Sequence, residues 1–278
     1  MQKWLRTKIK DYYYPDKTLV MGILNVTPDS FSDGGKYNNI NKAILQAKKM
    51  EADGADIIDI GGESTRPGHT PVSEQEEIER VIPVIEALVG EINIPISIDT
   101  FKTKVARLSL EAGAAIINDV WGAKREPDIA KVAAEFDAPI ILMHNREKPV
   151  YHSLTEDIVS DLQESVQIAI DAGVKSEQII IDPGIGFAKT YEENVETLQK
   201  MDKLRTLDYP LLLGTSRKSI IAKTLNLPVD ERDEGTGATV CFGMTKGCEI
   251  VRVHNVKMHV RMVKMMDKLL GKGCEDNG

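Results

Sequence analysis

Polar side chains stand where apolar, β-branched runs stop. Asn25 ends TLVMGILN and Asp99 ends IPISID, while Asn118 and Asp182 close the apolar parts of AAIINDV and QIIIDPG. Arg252 and His254 end CEIVRVH, and Lys218 follows PLLLGTS. Carboxylates accept hydrogen bonds, amides donate and accept, and a guanidinium fork beside an imidazole suits an anion. Any one of these could be a helix cap: Asp99 before TFKTKVARL, or Asp182 before GIGF. Lys218 could serve a Schiff-base aldolase. Its neighbours Gly214, Thr215, Ser216 and Ser219 mark a helix start, where backbone N–H groups favour an anion.

Alternation within the strands gives these residues a common direction. Ile23 shares a face with Asn25, Ser97 with Asp99, Ile116 with Asn118, Ile180 with Asp182, and Arg252 with His254. The remaining runs are ADIIDIG and APIILMH, and helical patterns such as TKVARLSLEAG lie between strands. Gly54, Gly113 and Gly173 stop helices, Ser73 with Glu76 forms a capping box, and Pro83 predicts a kink. Eight strand–helix units in about 250 residues predict one (β/α)8 TIM barrel with its polar strand ends at one mouth. The rival doubly wound sheet lacks a GxGxxG turn after the first strand. The expected division is an N-terminal extension over 1–17 flanking the barrel bottom, a barrel over 18–271 and a flexible tail over 272–278.

The chain has 278 residues, 42% of them hydrophobic, and a formal charge of −8, which argues against nucleic-acid and acidic-membrane partners. No apolar run approaches the roughly 18 residues of a membrane span. The basic start lacks the apolar stretch of a secretory signal and reads as mature protein. Cys241, Cys248 and Cys274 form no CxxC pair and read as thiols in a reducing cytosol, so a cytoplasmic location is expected.

The stretches LNVTPDSFSDGG, DIIDIGGESTRPG, SIDTFK, IINDVWG, IDPGIGFAKT, GTSRKSII and VRVHNV together resemble the dihydropteroate synthase family. The likeness runs in unbroken order from about Leu19 to the last helix. It implies the same barrel, a homodimer, and the target of sulfonamides in folate synthesis. The implied reaction joins a dihydropterin methyl diphosphate (pterin diphosphate) to 4-aminobenzoate, releasing diphosphate and requiring Mg²⁺. Carried over residue by residue, Asp99, Asn118, Asp182 and Lys218 hold the pterin. Thr65, Arg252, Val253 and His254 contact the pterin diphosphate, and Asn25 gives the metal an oxygen. Phe31, Arg66, Pro67, Phe187 and Ser219 surround 4-aminobenzoate. A cation-like loss of diphosphate needs water excluded, so Phe31 and Asp33 in the first Gly-bearing loop are expected to act as a lid, with Asp33 near the developing charge. The catalytic set is Asp33, Lys218, Arg252 and His254. No general base is expected, because an aromatic amine is already neutral near pH 7. A pterin or methyltetrahydrofolate-binding module without synthase activity is the alternative; Asn25, TPDSFSDGG, STRPG, Arg252 and His254 separate the two readings.

Overall fold

Strands rich in isoleucine and valine alternate with helices, and parallel pairing follows because each crossover lays a helix on the sheet. The structure, a computed structural model, describes residues 3–26, 36–63 and 72–273. Strands β1 (Trp4–Leu5) and β2 (Tyr12–Tyr13) pair antiparallel. Then come β3 (Leu19–Asn25), α1 (Lys36–Ala52), β4 (Ile57–Gly61), α2 (Glu74–Leu88), β5 (Ile96–Asp99), α3 (Thr103–Ala112), β6 (Ile116–Asp119) and α4 (Asp128–Glu135). They are followed by β7 (Ile140–Met143), α5 (Leu154–Asp171), β8 (Ile179–Asp182), α6 (Tyr191–Gln199) and β9 (Leu212–Leu213). The chain continues through α7 (Ser219–Leu225), α8 (Asp233–Thr245), β10 (Ile250–Val253) and α9 (Val256–Leu269).

The large sheet runs β8-β7-β6-β5-β4-β3-β10-β9. A parallel bridge between Ile181 and Leu211 joins its two ends, so the eight strands close into the expected barrel. One helical connection is divided: Asn226 takes a left-handed conformation at the end of α7, and Pro228 follows before α8 begins. The Ser73 hydroxyl accepts from Glu76 N at 3.2 Å at the start of α2. That helix continues through Pro83 to Leu88. Among the described residues no helix is long and apolar enough to cross a membrane. Cys241 and Cys248 are free, while Cys274 lies outside the described residues.

Strand alternation separates two apolar layers. Val20, Ile58, Ile98, Ile117, Ile181 and Val251 face the helices. Met21, Ile57, Ile116, Ile141, Ile180 and Ile250 fill the barrel interior with Leu5, Tyr12 and Tyr14 of the N-terminal ribbon. The ribbon is fastened by the Tyr12 hydroxyl, which donates to Asp56 O at 2.5 Å. One step further along the inward faces the residues become polar: Asp59, Asp99, Asn118, Asp182 and Arg252. The site therefore rests on an apolar floor.

Candidate functional site

Arg252 bridges strands that lie on either side of β3. Its Nε donates to Asp59 Oδ2 at 2.6 Å, and its Nη2 donates to Asp99 Oδ2 at 2.7 Å. Asn118 Nδ2 also donates to Asp59 Oδ2, at 3.2 Å. Burial raises the Asp99 pKa; Arg252 pulls against it and the Asp59 carboxylate reinforces it. Burial alone would lower the Arg252 pKa, but Asp59 and Asp99 outweigh it and hold the guanidinium charged. One oxygen on each carboxylate, Asp59 Oδ1 and Asp99 Oδ1, is buried with no hydrogen-bond partner. Two unmatched acceptors in one enclosed mouth are the complement of a ligand's N–H groups.

Asp182, at the end of β8, uses Oδ1 to accept from Gly184 N at 2.7 Å. The helix after it is capped by Thr190 in a capping box with Glu193, so Asp182 caps a turn rather than a helix. Asp99 caps no helix either, since Lys102 holds the N-cap position of α3. Burial raises the Asp182 pKa, opposed by Lys218 and the Gly184 N–H. Gly214 keeps the space before these groups open: a Cβ there would lie 3.8 Å from Asp182 Oδ2, 3.8 Å from Lys218 Nζ and 3.9 Å from Arg252 Cβ. Gly61 does the same beside Asn25, where a Cβ would lie 3.7 Å from Asn25 Oδ1 and 3.8 Å from Asp99 Oδ2.

Lys218 Nζ donates to Ile185 O at 2.5 Å and sits 4.7 Å from the Phe187 ring centroid. Burial lowers its pKa to about 8, with Asp182 opposing. The loop bearing Phe187 is held from below by Lys189, whose Nζ lies 3.1 Å from Gly184 O, 3.2 Å from Phe187 O and 2.8 Å from His144 Nδ1. His144 Nε2 reaches Asp161 Oδ2 at 2.9 Å, and burial lowers the imidazole to about 4. A neutral ring therefore accepts from Lys189 and donates to Asp161. Gly184 has φ +68°, and a Cβ there would come within 2.0 Å of His144 O, so the turn admits only glycine.

His254 Nδ1 meets Ser216 Oγ at 2.8 Å, and the same hydroxyl accepts from His254 N at 3.1 Å. Beside it opens a cavity of about 430 Å³ lined by Lys49, Arg217, His254, Asn255 and Lys257. Asn255 caps α9, its side chain accepting from Met258 N at 3.3 Å. Ser219 is exposed at the first position of α7. The Val253 side chain is fully buried in the layer facing the helices, because it alternates with Arg252 and His254. Only its main chain can face the mouth. Phe31, Asp33, Thr65, Arg66 and Pro67 lie outside the described residues.

Asn25, Asp99, Asn118, Asp182, Lys218, Arg252 and His254 thus share one end of the barrel. Sequence reasoning missed Asp59, whose signal was present in the alternation Ile57, Asp59, Gly61. It also missed Lys102, whose buried Nζ takes Glu63 at 2.6 Å, Glu77 at 2.5 Å and Val72 O at 2.9 Å. That ammonium ties the end of β4 to the start of α2.

Residues 21–254 match the model of a family described as pterin binding enzyme. Dihydropteroate synthase of Bacillus subtilis is 59% identical over 274 residues, covering 99% of this chain and 96% of the relative. Among solved structures, Clostridium difficile dihydropteroate synthase determined in the presence of pteroic acid is 48% identical, with TM-score 0.91 over 93% of this chain and 98% of that one. Xanthomonas albilineans dihydropteroate synthase with 4-aminobenzoic acid is 37% identical, with TM-score 0.92 over 97% and 99% of the two chains.

Proposed function

Because this chain belongs to the pterin-binding enzymes of the dihydropteroate synthase family, we propose that it joins pterin diphosphate to 4-aminobenzoate, giving 7,8-dihydropteroate and diphosphate. The observation that carries this is the set of inward strand-end side chains over an apolar floor, with buried acceptors at Asp59 and Asp99 lacking partners. A pterin edge rich in N–H groups meets Asp99, Asn118 and Asp182, while Lys218 donates to the ring's carbonyl oxygen and ring nitrogen. 4-Aminobenzoate lies against Phe187, with its carboxylate toward Ser219; Phe31, Arg66 and Pro67 belong to the same subsite. The barrel over 18–271, closed below by 1–17, forms one catalytic unit. A homodimer in the cytoplasm belongs to the same reading.

The chemistry breaks the bond between the pterin methylene and the diphosphate oxygen and forms a bond to the amine nitrogen, which then loses a proton. Arg252 and His254 take the charge that leaves with the diphosphate, and Thr65 is assigned a contact with the same substrate. As that bond loosens, the methylene becomes cation-like, and Asp33 supplies a carboxylate near it while Phe31 excludes water. Among the described residues no group of three His, Cys, Asp or Glu could hold a metal by itself. Asn25 Oδ1, which lines the open space at Gly61, suits a hydrated Mg²⁺, because such an ion needs few protein donors. When bound, it would neutralise diphosphate charge; Asn25 would give it one oxygen. Positioning and charge neutralisation account for the rate, with no general base in the scheme. The test is a rate assay in which diphosphate and dihydropteroate appear one for one only when both substrates are present. Pterin binding without turnover would instead identify a binding module.

A further inference from the structure

We propose that Asp59 is a positioning residue of this reaction, setting the direction in which Arg252 and Asn118 offer their hydrogen bonds to the pterin diphosphate. The inference rests on the function proposed above. Asp59 sits on the inward face of β4, level with Ile23 of β3 and Ser97 of β5, and is fully buried. Its Oδ2 is shared between Arg252 Nε at 2.6 Å and Asn118 Nδ2 at 3.2 Å.

Two consequences follow from the shapes of the partners. A guanidinium has a side-on edge, Nε with Nη2, and an end-on edge, Nη1 with Nη2. Asp59 and Asp99 take Nε and Nη2 between them. Nη1 and the second hydrogen of Nη2 are left to be offered to phosphate oxygens. For Asn118, donation through Nδ2 fixes which way the amide faces, since the flipped amide would set its carbonyl oxygen against a carboxylate. The Oδ1 atom is thereby offered as an acceptor for a ring N–H. Asp59 Oδ1 is buried without a hydrogen-bond partner. Asp59 therefore acts through two neighbours and determines the donor–acceptor polarity of the pocket.

Asp59→Asn keeps the shape and removes the charge. Its kcat/KM for pterin diphosphate should fall roughly 10- to 100-fold, while KM for 4-aminobenzoate and the melting temperature stay near those of the unsubstituted protein. Combined with Arg252→Lys and Asn118→Ala, the substitution should add little to the loss already present. Full additivity, unchanged kinetics, or equal losses for both substrates with a lowered melting temperature would each overturn the inference. Free-pterin affinity measured by calorimetry judges Asp59 independently of turnover: Asp59→Asn should weaken it roughly tenfold, and an unchanged value would count against the role. Absence of turnover by the unsubstituted protein would refute the proposed reaction, and the binding result would still decide on Asp59.

Discussion

Lys218 Nζ stands 4.7 Å from the ring centroid of Phe187, joining a cation after β9 to an aromatic ring on the loop after β8. The contact is a cation–π pair, and it is enclosed: Lys218 also donates to Ile185 O, next to the Gly186 turn. The two subsites of the proposed reaction therefore share a side chain. Phe187→Ala should raise KM for 4-aminobenzoate by about tenfold, in line with loss of about 1–2 kcal/mol of aromatic contact. Initial-rate kinetics check this, and free-pterin affinity should move much less.

Arg252→Lys replaces a fork with a point charge between Asp59 and Asp99. Affinity for pterin diphosphate should fall roughly 10- to 100-fold, as expected for loss of charge-assisted bonds. Affinity for free pterin should fall by a smaller factor. Titration calorimetry with the two ligands separates these outcomes, and equal losses would remove Arg252 from the diphosphate site.

Lys218 gives a pH dependence whose sign can be worked out. Its pKa is lowered from 10.5 to about 8, so the folded protein releases this proton before the unfolded chain does. Between those values the unfolded chain binds more protons, and this group's contribution to stability rises with pH. Ligand binding should run the other way: pterin affinity declines above about pH 8 as the ammonium is lost. Fluorescence titrations across that range check the trend, and Lys218→Met should flatten it. Trapping of a carbonyl substrate on Lys218 by borohydride would point to imine chemistry instead.

Lys102 predicts a stability effect. Its ammonium satisfies Glu77, which is buried, and Glu63, which is partly exposed. Burial raises the Glu77 pKa even with Lys102 beside it. Lys102→Met would remove the cation from beside the buried Glu77 carboxylate, and urea unfolding should show a loss of about 3–5 kcal/mol. Adding Glu77→Leu should recover part of that loss.

The barrel was legible because strand alternation has period two and several inward faces change from apolar to polar at a definite step, as from Ile116 to Asn118 and from Ile180 to Asp182. Ile57, Asp59 and Gly61 illustrate both the strength and the gap: the pattern was visible, yet Asp59 sits within its strand rather than at the end, so it drew no attention. Lys102 was hidden for another reason, since its partners come from α2 and from the stretch joining β4 to α2. Val253 shows what alternation adds, because its side chain turns to the helices and leaves only its main chain for the mouth. The split of one crossover into α7 and α8 turned on Asn226 and Pro228, local signals that the apolar periodicity alone does not weigh.

The most direct measurement is calorimetric titration of free pterin and pterin diphosphate into the unsubstituted protein and into Asp182→Ala. Here the expected outcome is one saturable site per chain in the first protein and no measurable heat for either ligand in the second. Undiminished pterin binding by Asp182→Ala would contradict the pocket at the barrel mouth, and with it the reaction built upon it.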